Sequence, residues 1–225
     1  MIPTWSYQKS DDAIYVNLFI GGSVNINEVA GTDVEMVQVT DYPWSGNITI
    51  IVNPERSAEF TVYVRVPDRT TSKLYAPEPI VSGLNSFRIN NQPYQPKVEK
   101  GYAVITRRWE KGDKIEMELP MKPQRLISDE RVEANRNMVA LRYGPLIYNV
   151  ERYDNKNIDR PIGNAPLSAE WRGEMLNGIV VLKGEWADGS PLLAIPNYAR
   201  ANRVDGGEGE SPVYSRVWIQ RKYPD

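Results

Sequence analysis

Residues 58–66, AEFTVYVRV, place Phe60, Val62, Val64 and Val66 on one side of an extended chain and Glu59, Thr61, Tyr63 and Arg65 on the other. Successive side chains of a strand point to opposite faces, so a period of two describes a strand with one face to bury. The same alternation recurs in KIEMEL at 114–119, where Ile115, Met117 and Leu119 interleave with Lys114, Glu116 and Glu118. Comparable runs lie at 13–20, 34–40, 47–52, 101–107, 138–143, 146–150, 179–183, 192–195 and 213–219. They are short, rich in Val, Ile, Thr and Tyr, and bounded by turn residues such as Ser45-Gly46, Asn53-Pro54, Pro67-Asp68 and Asp188-Gly189. No stretch sustains a 3.6-residue apolar period over three turns. The chain is expected to be all-β.

Many short strands, each with one apolar face, need a second sheet to cover that face, which points to antiparallel, jelly-roll-like β-sandwiches. In LPMKPQ (119–124) two prolines follow a clear strand and mark a boundary. The 225 residues then divide into two consecutive sandwiches, 12–123 and 124–225, each of ordinary domain size. The polar stretch 151–167 reads as a long loop. Gly144-Pro145 interrupts an otherwise continuous strand and is expected to be a bend or bulge where a strand changes sheet.

Two absences bound the chemistry. The chain has no histidine and no cysteine, which removes a Ser-His-Asp triad, a thiol nucleophile and the usual N/S zinc site. Hydrolysis by a pair of carboxylates remains open. With 27 Lys and Arg against 29 Asp and Glu, no global field attracts nucleic acid or an anionic membrane. No apolar run approaches the roughly 20 residues that span a bilayer. The first residues, MIPTWSYQKSDD, have neither the basic nor the apolar region of a signal peptide. The compartment is not legible.

The carboxylate clusters are Asp11-Asp12, Asp129-Glu130 with Glu133, and Glu208 with Glu210; solvated surface charge is the ordinary reading of each. The DGGEGE run (205–210) has oxygens for Ca²⁺ but lacks an EF-hand pattern, so it reads as a loop tip. Trp109, Trp186 and Trp218 sit in or beside strands and are expected to pack in sandwich cores. Tyr42-Pro43-Trp44 lies in a turn and is the better candidate for an interface or a sugar platform, with core packing as its competitor. Arg131, Glu133 and Arg136 of RVEANRN form either a local ion-pair network or a contact with another domain. Asn47-Ile-Thr49 fits a glycosylation sequon, a pattern common by chance. No catalytic and no metal-binding residue emerges.

Six segments in order, YVNLFI (15–20), TDYPWSGNITI (40–50), FTVYVRVP (60–67), GYAVITRRWEKGDKIEMELPM (101–121), RVEANRNMVALRYGPLIY (131–148) and PLLAIPNYARANR (191–203), resemble the carboxy-terminal part of glycoside hydrolase family 127. This family was formerly domain of unknown function 1680, and its typical activity is β-L-arabinofuranosidase. The resemblance implies an amino-terminal (α/α)6 catalytic barrel followed by two β-sandwiches, with a cysteine nucleophile and cysteine- and glutamate-bound zinc in the barrel. None of those roles has a residue to fall on here. The chain is then expected to be a non-catalytic region that supports the missing barrel, with residues 1–11 a residual linker and RVEANRN the entry to the second sandwich. Its partners are that barrel, with a plant-derived oligosaccharide and a second copy of the chain as further candidates, and neither nucleic acid nor membrane. The resemblance places the parent in the bacterial cytoplasm or periplasm. The competing reading is a free-standing carbohydrate-binding module.

Overall fold

The computed structural model describes residues 5–68, 72–203 and 214–222, and there the period of two becomes geometry. Strand Ala58–Arg65 turns Phe60, Val62 and Val64 inward and leaves Glu59 and Arg65 in water. Asn47–Pro54 buries Ile48, Ile50 and Val52, and Asp113–Glu118 buries Ile115 and Met117. Each such side chain, fully buried, contributes roughly 1.5–3 kcal/mol of transfer free energy.

These strands belong to the first of two units, which comprises Met1–Arg69 and Ser82–Pro120. One sheet has the strand order Tyr7–Ser10, Ala13–Val16, Ala58–Arg65, Tyr102–Trp109, Lys97–Glu99. The other runs Gly22–Val29, Thr32–Thr40, Asn47–Pro54, Asp113–Glu118, Ser86–Ile89, Gln92–Pro93. A single core cluster takes Val62, Val64 and Ile105 from one sheet and Met36, Ile50 and Ile115 from the other, the arrangement of a sandwich. Pairing is antiparallel except between Ala13–Val16 and Ala58–Arg65, which run parallel. Trp109 is wholly buried, and its indole N–H donates to the carbonyl of Phe60 at 3.0 Å.

The second unit comprises Thr70–Val81 and Met121–Asp225. Its strand path runs Ser168–Arg172, Ile179–Glu185, Pro191–Pro196, Leu146–Glu151, Met138–Tyr143, Pro123–Ser128, Tyr75–Glu78. Ser215–Arg216 and Ile219–Gln220 pair at its side with Leu146–Glu151 and Met138–Tyr143. Its core cluster includes Val139, Leu141, Val150, Leu182, Leu192 and the buried Trp186. Tyr148 is also buried there, and its hydroxyl donates to the carbonyl of Val180 at 2.8 Å. Trp109 and Trp186 thus pack as their strand positions imply, whereas Trp218 is only half-buried.

Several expectations are corrected. Tyr7–Ser10 is a strand paired with Ala13–Val16, not a linker. The boundary is not a single cut, because Tyr75–Glu78 lies before residue 123 yet pairs with Pro123–Ser128 in the second unit. Gly144-Pro145 is the two-residue loop of a tight hairpin, with Tyr143 opposite Leu146. Gly144 takes φ 55°, and the proline that follows fixes a negative φ, the combination a type II′ turn requires. The change of neighbour occurs inside the next strand instead: Leu146–Glu151 bonds to Met138–Tyr143 at its start, to Pro191–Pro196 at Tyr148 and Asn149, and to Ser215–Arg216 at its end. RVEANRN is not the entry to the second unit, since Pro123–Ser128 has already joined its sheet.

Candidate functional site

The Tyr42-Pro43-Trp44 turn joins Thr32–Thr40 to Asn47–Pro54 and is tied at both ends. The Thr40 hydroxyl accepts the Tyr42 N–H at 3.0 Å and donates to the Asn47 carbonyl at 2.8 Å. The Asp41 carbonyl accepts the N–H groups of Trp44 (2.8 Å) and Ser45 (3.3 Å), and the Tyr42-Pro43 peptide is cis. All three residues are half-buried. Tyr42 meets Phe19 edge-on, with centroids 5.6 Å apart, and packs against the first core. This turn caps a core and still presents part of its aromatic surface; it is not a flat exposed platform.

Arg131, Glu133 and Arg136 lie in the connection between Pro123–Ser128 and Met138–Tyr143, exposed and locally paired. Arg131 grips Asp129 with two guanidinium nitrogens, at 2.7 and 3.0 Å, and its backbone N–H donates to the same carboxylate at 2.9 Å. Arg136 reaches the Glu130 carbonyl at 3.2–3.3 Å and lies 3.9 Å from Glu133 across a single 3-10 turn, Glu133–Asn135. These residues are in the second unit and Tyr42-Pro43-Trp44 in the first.

Donation from Arg131, by side chain and then backbone, holds the Asp129 carboxyl at about 2 rather than its usual value near 4. A lowered folded-state value means that the unfolded chain binds this proton more tightly. The pair therefore supports the fold above pH ~4, and that support fades as pH falls through about 2. NMR titration should place Asp129 near 2, and Arg131→Ala, which keeps the backbone donor, should raise it part of the way back toward its usual value.

A feature the sequence reading passed over lies on the outward face of the five-stranded sheet. Tyr15 and Tyr63 are register partners, stacked with centroids 4.4 Å apart and planes 4° apart. Tyr102 stands edge-on to both, donates its hydroxyl to Asn17 Oδ1 at 2.7 Å, and has the Arg65 guanidinium 5.5 Å from its ring centroid. The signal was an aromatic on the polar side of an alternating strand, with Tyr63 beside Thr61 and Arg65. Stacking on each other commits the facing surfaces of Tyr15 and Tyr63, so the cluster reads as a cross-strand brace.

Several of the carboxylates are committed to cations and donors. Glu151 is wholly buried against Arg203, 2.7 Å away, and Arg203 also binds Asp154. The carboxyls of Asp129, Asp159, Glu170 and Asp188 are all held below their ordinary values, chiefly by Arg131, Arg216, Lys183 and Ser190 respectively. A general acid for glycoside cleavage needs the opposite shift. Asp11 and Asp12 are exposed, and Glu208, Glu210 and the rest of 205–210 lie outside the described residues. Zinc of the kind the family resemblance implies does not fit here: the chain lacks His and Cys, and among the described residues no three potential ligands converge.

Comparison with known proteins gives a consistent result. The family described as "Beta-L-arabinofuranosidase, GH127 middle domain" matches residues 13–121, and "Glycoside hydrolase family 127 C-terminal domain" matches residues 123–220. Among solved structures, a GH127 β-L-arabinofuranosidase from Geobacillus stearothermophilus T6 is similar at TM-score 0.82 and 28% identity. That match covers 98% of this chain and 35% of the other. A GH127 β-arabinofuranosidase is similar at TM-score 0.86 and 26% identity, over 98% of this chain and 37% of that one. A structure described as a glycoside hydrolase matches at TM-score 0.79 and 25% identity, over 97% and 37%. This chain therefore spans little more than a third of those proteins. A search of curated proteins returned no match.

Proposed function

Because the chain belongs to glycoside hydrolase family 127, as the family's middle and carboxy-terminal domains, we propose that it is a non-catalytic region supporting the catalytic barrel of a larger glycosidase. The observation that carries this reading is coverage: both β-domains match in order, yet they account for 35–37% of the related enzymes. The chemistry of the chain agrees, since it has no histidine or cysteine and, among the described residues, the carboxyls displaced from their ordinary values are displaced downward. The parent would act on L-arabinofuranosides or related plant glycans, with zinc and the nucleophile in the barrel.

The proposed docking surface is the turn Tyr42-Pro43-Trp44, with Arg131, Glu133 and Arg136 a second contact. A half-buried indole gains from further burial at roughly 25 cal/mol per Å², and an aromatic anchor at an interface centre typically contributes ~2 kcal/mol or more. Trp44→Ala is expected to weaken association with a separately expressed family 127 barrel by about that amount, with little change in the urea midpoint of the chain. A large fall in midpoint with association intact would show that Trp44 serves only the core.

A further inference from the structure

The second unit carries a pocket of about 390 Å³ that the support of a barrel does not explain. Asp159, Arg160, Tyr214, Arg216, Trp218 and Gln220 line it, together with the buried Ile158. The volume falls within the ~300–1,000 Å³ of small-ligand sites. Trp218 is half-buried in the wall and backed by Tyr75, with centroids 5.6 Å apart. Tyr214 is 40% exposed.

The polar groups are fixed before any ligand arrives. Asp159 accepts the Tyr214 hydroxyl at 3.0 Å and Arg216 Nε at 2.7 Å, and Arg152 lies 3.6 Å away on its other oxygen. Arg216 also donates to the Tyr214 hydroxyl at 2.6 Å, and the Arg152 guanidinium covers the Tyr214 ring at 4.4 Å. Arg160, which also lines the pocket, pairs with Asp188 and lies over the Trp186 ring at 4.9 Å. Arg160 and Arg216, the cations that line the pocket, are each already paired with a carboxylate, so neither presents an unpaired charge to an anion. Planar groups already paired still hold spare N–H donors and oxygen lone pairs side by side. That set suits neighbouring hydroxyls on a neutral ring, while the indole face offers an apolar surface to the ring's C–H side.

We propose that this pocket binds a neutral sugar, with Trp218 as the stacking surface and Asp159, Arg216 and Gln220 as the hydroxyl-binding groups. The site does not depend on the accessory reading, and the isolated 225-residue chain suffices to test it. The probes are L-arabinose and a neutral arabino-oligosaccharide, with galacturonate as the anionic counterpart, followed through the six indole N–H signals in ¹H–¹⁵N spectra. The expected result is a saturable shift of the Trp218 signal, assigned with Trp218→Phe, by the neutral sugars and not by galacturonate. Trp218→Ala and Gln220→Ala should each weaken binding of the oligosaccharide, the former about tenfold, while the exposed first-unit substitution Tyr94→Ala leaves it unchanged. Absence of saturable binding, preference for galacturonate, or binding unaffected in both folded pocket variants would overturn the proposal.

Discussion

Trp109→Ala is expected to cost about 3–5 kcal/mol of stability, a large part of the margin of an ordinary domain. Trp109 is wholly buried at the end of Tyr102–Trp109, where its ring meets Phe60 at 6.0 Å and Arg107 covers it at 5.3 Å. Truncation removes that burial, leaves a cavity that the sandwich cannot fully close, and strips the Phe60 carbonyl of its indole donor. The same change at Trp5, which is 66% exposed, should cost within about 0.5 kcal/mol. Urea unfolding separates the two, as a fall in midpoint for one and not the other. Equal midpoints would mean that the first core does not close over Trp109.

The second large effect concerns charge. Arg203→Met is expected to destabilise the chain by ~3–5 kcal/mol, because it abandons a carboxylate inside the second unit. The Glu151 side chain is 0% exposed, and besides Arg203 it is held by the Ala201 N–H at 2.8 Å. Its partner also fixes Asp154, so one guanidinium is shared between two carboxylates. Adding Glu151→Leu to Arg203→Met should recover only part of the loss, since it removes one stranded carboxylate and leaves Asp154, its side chain 12% exposed, without its guanidinium. Denaturant midpoints of the two single variants and the double variant measure the coupling. A cost below ~1 kcal/mol for Arg203→Met would show the pair behaving as a surface pair.

Strands with one wet face and one dry face were legible because the pattern and the burial are the same fact. Ala58–Arg65, Asn47–Pro54 and Asp113–Glu118 are examples. Strands without a dry face were not. Lys97–Glu99 is exposed at every position and shows no period of two, and in Gly22–Val29 the brief alternation of Val24 and Ile26 is broken by a register shift before Val29. Tyr75–Glu78 holds a proline and pairs far along the chain with Pro123–Ser128, information no local window contains. The candidate surfaces divide in the same way. Tyr42-Pro43-Trp44 could be located as an aromatic turn, but its contact with Phe19 required the fold. The ligation of Asp159 by Tyr214 and Arg216 joins residues more than fifty positions apart, and sequence spacing gives no hint of it.

The central claim, that this chain supports catalysis carried out elsewhere, is tested most directly by incubating it with an aryl β-L-arabinofuranoside, with and without added Zn²⁺. The account predicts no release of arabinose in either condition from a chain that urea unfolding shows to be folded. Saturable turnover, abolished by substituting one of the chain's own carboxylates, would contradict it.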